Sequence, residues 1–153
     1  MIIRIEIPNI NPIPKERPRH NKNKITFTPT RTRTYESGIK KIVKELLEAR
    51  PEIVEQLNRL HAEHDKIGIV AQYRRLTHHH ADTDNLTKSL KDGLEKALWK
   101  NDNCIKGEVA YLTQDKQNYG VTLLVMPYNK WLEQFDISVI LNNFLSSGET
   151  IYG

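Results

Sequence analysis

The sequence has little cysteine and no long apolar run. Its 153 residues contain one cysteine, Cys104, which excludes an internal disulfide framework and makes a reducing cytoplasm the expected location. There is no charged-then-apolar leader and no apolar stretch of about 18 residues, so neither secretion nor a membrane span is expected. No histidine partner for Cys104 is visible, and we expect a small packing residue rather than a nucleophile. The length suits one domain with its own core.

Positive charge is unevenly distributed along the chain. Residues 1–50 hold twelve Lys and Arg against five Glu, whereas residues 51–153 hold eleven against fourteen acidic residues. Such an asymmetry indicates a surface that binds a polyanion, next to an acidic feature with a different task.

Hydrophobic periodicity predicts the order strand, basic loop, two helices, strand, helix, strand, strand. Alternation predicts strands at 2–7, 66–76, 104–113 and 119–126, and helical spacing predicts helices at 35–49, from Pro51 onward and after Asp84, a candidate N-cap. Residues 8–34 are expected to form an exposed loop or irregular hairpin. This order predicts an α/β or α+β fold with a mixed sheet of about four strands flanked by helices.

Residues 128–153 contain too many apolar side chains for a solvated tail, among them Trp131, Phe135 and Phe144. We therefore divide the chain into a domain of residues 1–127 and a C-terminal extension of residues 128–153. The extension is expected to be helical and either docked on the domain or oligomerising.

Two carboxylates lie close together in the segment ADTDN at 81–85, directly after a predicted strand. Asp82 and Asp84 repel each other unless a cation joins them, and hard ions such as Mg²⁺ or Mn²⁺ bind carboxylate and water oxygens. Asp102 precedes the next strand and is a candidate third ligand at the same end of the sheet, although Asn-Asp-Asn also favours a plain turn. Lys88 and Asp92 follow Asp84 at four-residue spacing, a pattern equally typical of a solvated helix face.

The basic loop supplies candidate contacts to phosphate, because Lys and Arg neutralise phosphodiesters and the Arg guanidinium grips phosphate oxygens in pairs. Phe27 and Tyr35 are the only rings nearby, which favours duplex backbone binding over base stacking. A merely solvated loop is the alternative. The run His78 to His80 does not favour zinc, since neighbouring residues of an extended segment alternate in direction. The DNA-binding candidates are Lys15, Arg17, Arg19, Lys22, Lys24, Arg31, Arg33 and His80.

In their order and spacing these elements resemble the RusA family of Holliday junction resolvases. The resemblance covers residues 1 to about 126 and rests on the N-terminal strand, PKERPR at 14–19, the TY pair at 34–35, DTDNLTK at 82–88, Asp92 and the W-x-x-D arrangement at 99–102. It implies a homodimeric, Mg²⁺-dependent crossover junction endodeoxyribonuclease, commonly of phage or prophage origin. Such an enzyme resolves four-way junction DNA in recombination and repair by paired symmetric nicks.

Family roles then fall on four residues. The resemblance implies that Asp82, Asp84 and Asp102 are metal-binding catalytic carboxylates and that Lys88 is the catalytic lysine. Asn101 departs from the family pattern, which often has an aspartate there. Two alternatives remain open: a less selective nuclease acting on forks or flaps, and a non-catalytic junction-binding protein that remodels DNA.

Overall fold

A mixed four-stranded sheet organises the chain, as the sequence predicts. The computed structural model describes residues 1–77 and 81–148. The strands are β1 (Ile3–Pro8), β2 (Arg19–His20), β3 (Thr26–Phe27), β4 (Ile67–Arg75), β5 (Ile105–Gln114) and β6 (Gly120–Pro127). The helices are α1 (Thr30–Ala49), α2 (Pro51–Glu63), α3 (Thr83–Leu94), α4 (Tyr128–Phe135) and α5 (Ile137–Ser146), and a short 3-10 turn spans Asp102–Cys104.

Strand order in the main sheet is β1-β6-β4-β5, and β2 pairs only with β3 in a small separate hairpin. The β1–β6 and β6–β4 pairs are antiparallel, whereas β4 and β5 are parallel, paired from Ile67 beside Ile105 to Arg75 beside Gln114 with one register shift between Ile67 and Gly68. A parallel pair requires a crossover connection, and α3 provides it. As a result, α3 begins beyond the end of β4, and β5 starts beside the start of β4.

One face of the sheet carries the core. The alternating residues Ile3, Ile5 and Ile7 of β1 are buried, as the sequence pattern predicts. Opposite the sheet, α3 buries a leucine stripe, and each such side chain removed from water contributes on the order of 1.5–3 kcal/mol. Leu86, Leu90 and Leu94 of the predicted stripe are buried on α3, and Leu98, its fourth member, is buried beyond the end of the helix at Leu94.

Helix α1 begins five residues earlier than the predicted start at Tyr35. Pro29 precedes its first turn, and Thr32 and Tyr35 are both buried. β-branched threonines lower helix propensity, so the run TRTRT reads as a loop, but tertiary burial overrides that local preference. Arg31 and Arg33 therefore lie on the first turn of a helix and not in the loop.

The C-terminal extension is helical but divided. Helix α4 packs on β4 and β5 through Trp131, whose indole lies directly over Gly68 and Gly107 and donates a hydrogen bond to the Ile69 carbonyl at 3.2 Å. A Cβ atom at either glycine would overlap the indole ring. Helix α5 follows after the single residue Asp136 and leaves its apolar side chains exposed. In the described part of the chain, no helix is long and apolar enough to cross a bilayer.

Candidate active site

The acidic pair lies at the N-terminus of α3. Asp82 is the N-cap, and its Oδ1 accepts a hydrogen bond from the Asp84 backbone N–H at 3.0 Å. The predicted cap was Asp84, which is wrong by two residues because Asp82 keeps the extended backbone that lets a cap side chain reach back to the first turn. Both aspartates are exposed. A helix N-terminus carries partial positive charge, which favours acidic side chains at these positions.

The donor atoms of this pair suit a hard cation. From the described residues, only a long contact at 3.5 Å, donated by the Asn85 side-chain amide, reaches Asp82 Oδ2, and both aspartates are exposed to solvent. A Mg²⁺ ion commonly takes one or two carboxylates and fills its remaining positions with water and phosphate oxygen. Across residues 1–77 and 81–148, however, no group of three or more His, Cys, Asp or Glu side chains is assembled to hold an ion.

Asp102 lies at the opposite end of the sheet from this pair. It opens the 3-10 turn before β5, whereas Asp82 follows β4, and the two strands run parallel. Lys91 of α3 contacts Glu108 of β5. Measured along α3, Asp84 lies about 10 Å from that contact, toward the end of β4. Measured along β5, the start of the strand lies about 10 Å from the same contact in the opposite direction. The expectation that one chain returns Asp102 to the end occupied by Asp82 and Asp84 is therefore wrong.

The 3-10 turn is held by its own first residues. The Asn101 side-chain oxygen accepts a hydrogen bond from the Asn103 backbone N–H at 2.8 Å and so caps the turn. The turn expected from Asn-Asp-Asn is confirmed. Asn101 thereby orients the segment that carries Asp102.

Lys88 lies one helical turn after Asp84 and shares its face of α3. Its side chain is exposed, while Thr87 beside it is buried and accepts a hydrogen bond from the Tyr73 hydroxyl at 3.0 Å. Burial raises the pKa of Tyr73 well above its ordinary value, so this hydroxyl keeps its proton. The Tyr73–Thr87 bond ties α3 to β4 directly beneath the exposed face that Asp84 and Lys88 share.

Lys15 is held between two helices by ion pairs. Its ammonium contacts Glu36 of α1 and Asp92 of α3, at 2.8 Å from Asp92 Oδ2, and only 17% of its side chain is exposed. Its backbone N–H also donates to the carbonyl of Asn85, the residue after Asp84, at 2.9 Å. Burial lowers the pKa of Lys15, but the hydrogen bonds to Asp92 and Glu36 outweigh burial and raise the pKa above its ordinary value. Lys15 is thus a charged link between α1, α3 and the loop.

The other basic candidates lie on an exposed hairpin and on the adjoining helix turn. The tip of the β2–β3 hairpin is a tight turn in which the Asn21 side chain accepts hydrogen bonds from the Asn23 and Ile25 backbones. The exposed basic residues of this surface are Arg17, Arg19, Lys22, Lys24, Arg31 and Arg33. His78, His79 and the DNA-binding candidate His80 lie outside the described residues.

Comparison with known families identifies the family that carries this site. Residues 9–125 match the profile of the family described as Endodeoxyribonuclease RusA. The chain belongs to the RusA family. This membership covers both aspartates of the α3 cap, Lys88, Asp102 and the basic hairpin, and it implies a DNA endonuclease of the junction-resolving kind. No curated protein matches the chain closely enough to add to the assignment.

Sequence reasoning missed the Lys15–Glu36–Asp92 link of this RusA-family chain. The three residues are far apart in the sequence and join only through the packing of α1 on α3, where Gly93 lets the helices approach against Ile39 and Glu36. The four-residue spacing of Asp84, Lys88 and Asp92 was the one available signal, and it gave no hint of Lys15.

Proposed function

We propose that this RusA-family protein is a Mg²⁺-dependent endonuclease that resolves four-way DNA junctions by paired symmetric nicks. The observation that carries the proposal is an exposed carboxylate pair on the cap of α3 beside an exposed lysine and a basic hairpin. Mn²⁺ has the same ligand preferences and is expected to substitute. When bound, the ion supplies Lewis acidity and a water molecule of lowered pKa.

We propose further that the three carboxylates meet across a dimer. Within one chain the crossover places Asp102 roughly 20 Å from Asp84, by the rise of α3 and β5. In a two-fold dimer, Asp82 and Asp84 of one subunit can face Asp102 of the partner subunit, and the same contact recurs symmetrically. Two equivalent centres related by a two-fold axis suit a substrate with two equivalent strands.

Lys88 and the basic hairpin act on the DNA itself. The Lys88 ammonium lies on the face of α3 that carries Asp84, where it offsets the negative charge that develops on the phosphate in the transition state. The exposed residues Arg17 to Lys24, with Arg31 and Arg33, neutralise backbone phosphates and orient the junction arms.

Lys15, in contrast, is assigned a positioning role and not a phosphate contact. Its ammonium is already bound by two carboxylates and is largely shielded from solvent. Through Asn85 and Asp92 it fixes both ends of the α3 face that carries Asp84 and Lys88. Even small displacements of reacting groups are costly in rate, so this link supports catalysis at a distance.

The first experiment tests the nuclease itself. Wild type and Asp82→Asn are incubated with a synthetic four-way junction and Mg²⁺, and both binding and nicking are measured. We expect Asp82→Asn to bind the junction while nicking falls at least about 100-fold, because a ligand of the ion is lost. Equal cleavage of forks and flaps supports the less selective nuclease, and bound but uncut junction with the wild type supports the remodelling protein.

The second experiment tests the shared centre by complementation. Asp82→Asn and Asp102→Asn are each inactive alone and are then co-folded in equal amounts. Random pairing makes half of the dimers mixed, each with one intact centre, so about a quarter of wild-type nicking returns, as single nicks and not pairs. A mixture no more active than its separate components contradicts the shared centre and leaves the nuclease assignment in place.

A further inference from the structure

Helix α5 carries an apolar stripe that remains exposed to solvent among residues 1–77 and 81–148. Its members follow the spacing i, i+3, i+4, i+7, i+8 and are between 37% and 72% exposed. Val139, on the other side of the helix, is partly buried. The stripe consists of Ile137, Ile140, Leu141, Phe144 and Leu145.

The composition of α5 argues against two polyanionic partners, nucleic acid and an anionic membrane surface. The helix contains no Lys, Arg, Asp or Glu, only Ser and Asn beside its apolar residues. Binding to nucleic acid or to an anionic membrane surface depends on basic side chains, which α5 lacks. An uncharged apolar stripe instead fits another apolar stripe, and two copies of α5 meet without opposing like charges.

The position of α5 points to a second copy of this chain. Its anchor, α4, is fixed at the start of β4 and β5: the Tyr128 backbone N–H donates to the Lys66 carbonyl at 3.0 Å, and Trp131 covers Gly68 and Gly107. Asp102 lies at this same end of the sheet, immediately before β5. The shared centre proposed above brings a partner subunit to that end, so the arm that carries α5 leaves the domain where the proposed dimer brings two copies together.

We propose that α5 packs against α5 of a second copy across a two-fold axis and strengthens the dimer. This inference rests on the proposed function, because the dimer proposed there supplies the second copy. Helix α5 itself lies outside residues 9–125, the part of the chain that matches the family. A pair of ten-residue helices buries less area than a stable interface normally needs, so α5 adds to the contact around the shared centre and does not replace it.

A charge placed on the stripe tests the proposal. The self-association constant is measured by sedimentation for wild type, Leu141→Glu and the matched control Asn142→Glu, a polar position about 100° around α5 from Leu141. We expect a dimeric wild type, a dimer weakened at least about tenfold by Leu141→Glu, and no change with Asn142→Glu. Circular dichroism establishes that each variant is folded, which is expected because both positions are exposed.

Disulfide cross-linking between two copies tests the α5 contact separately from the rest of the interface. In a Cys104→Ser background, Leu141→Cys lies at the middle of the stripe and meets its own copy whether the helices are parallel or antiparallel, so oxidation should link two chains. Asn142→Cys should remain unlinked. An unlinked Leu141→Cys in a chain that is dimeric and cuts junctions overturns the α5 contact and spares the proposed function. A monomeric wild type, or one whose stripe binds a different protein, also overturns the α5 contact.

Discussion

Helices α3 and α5 carry the same kind of apolar stripe and have opposite surroundings. The stripe of α3 is fully buried, the exposed face of that helix is charged, and the helix is linked to α1, β4 and β5 by Lys15, Tyr73 and Glu108. The stripe of α5 is exposed, its helix is uncharged, and its connection to the domain passes through one residue, Asp136. The spacing of apolar residues therefore identifies the apolar face of a helix. The charge of the opposite face then indicates whether the apolar face packs on the domain or on another molecule.

The same substitution in the two stripes should have the most unequal effect. Leu90→Ala leaves a cavity between α3 and the sheet, and we expect it to lower the free energy of unfolding by about 2–5 kcal/mol at every protein concentration. Leu145→Ala should stay within about 0.5 kcal/mol in dilute protein. Its cost should appear only where copies associate. Denaturant titrations at two protein concentrations measure both, and equal costs in dilute protein contradict the comparison.

Breaking the charged link of α3 should affect catalysis more than binding. Lys15→Met leaves Glu36 and Asp92 without their shared cation and frees one end of α3, so we expect kcat for junction nicking to fall about 10- to 100-fold. Lys15→Arg should restore part of it. Arg19→Met is the matched control, since Arg19 is 69% exposed on the hairpin.

The control should show the reverse pattern. Losing one phosphate contact weakens junction binding, with kcat unchanged. The slope of the logarithm of the binding constant against the logarithm of salt concentration should become smaller by about one. If Lys15→Met instead behaves like Arg19→Met, then Lys15 contacts phosphate and the positioning role is wrong.

The smallest expected effect is a pH dependence of the stability that the Lys15 ion pairs contribute. Because the pKa of Lys15 is raised in the folded protein, its contribution to stability is complete below the ordinary value of 10.5 and is lost as pH rises through the folded-state pKa. Burial also raises the pKa of Tyr35 and Tyr73, so the whole protein loses stability above about pH 10. The measurement is therefore the stability difference between wild type and Lys15→Met, which should shrink across this range. A constant difference would contradict the assignment.

Local patterns predicted most of the fold because each strand and helix buries one face. Alternation located β1, β4, β5 and β6 to within about two residues, and leucine spacing located α3. The start of α1 was missed because the burial of Thr32 and Tyr35 depends on the sheet, and α5 was expected to be docked or oligomerising without a means to choose between them.

The site was predicted in its residues and not in its arrangement. Asp82 and Asp84 are only two positions apart in sequence, so their proximity needed no knowledge of the fold. The position of Asp102 depends on whether β5 runs parallel or antiparallel to β4, which the residues of neither strand encode locally. The link through Lys15 likewise joins three distant segments, and no periodicity reports such a contact.

The glycines beneath Trp131 allow a docked C-terminal extension to be recognised in other sequences. Because Gly68 and Gly107 lie side by side on neighbouring strands, the indole needs both positions to be bare, and a methyl group at either one would expel it. A RusA-family chain with larger residues at both places has no socket for this tryptophan. Two small residues 39 positions apart thus form a signature that distinguishes members with an anchored C-terminal arm from those without one.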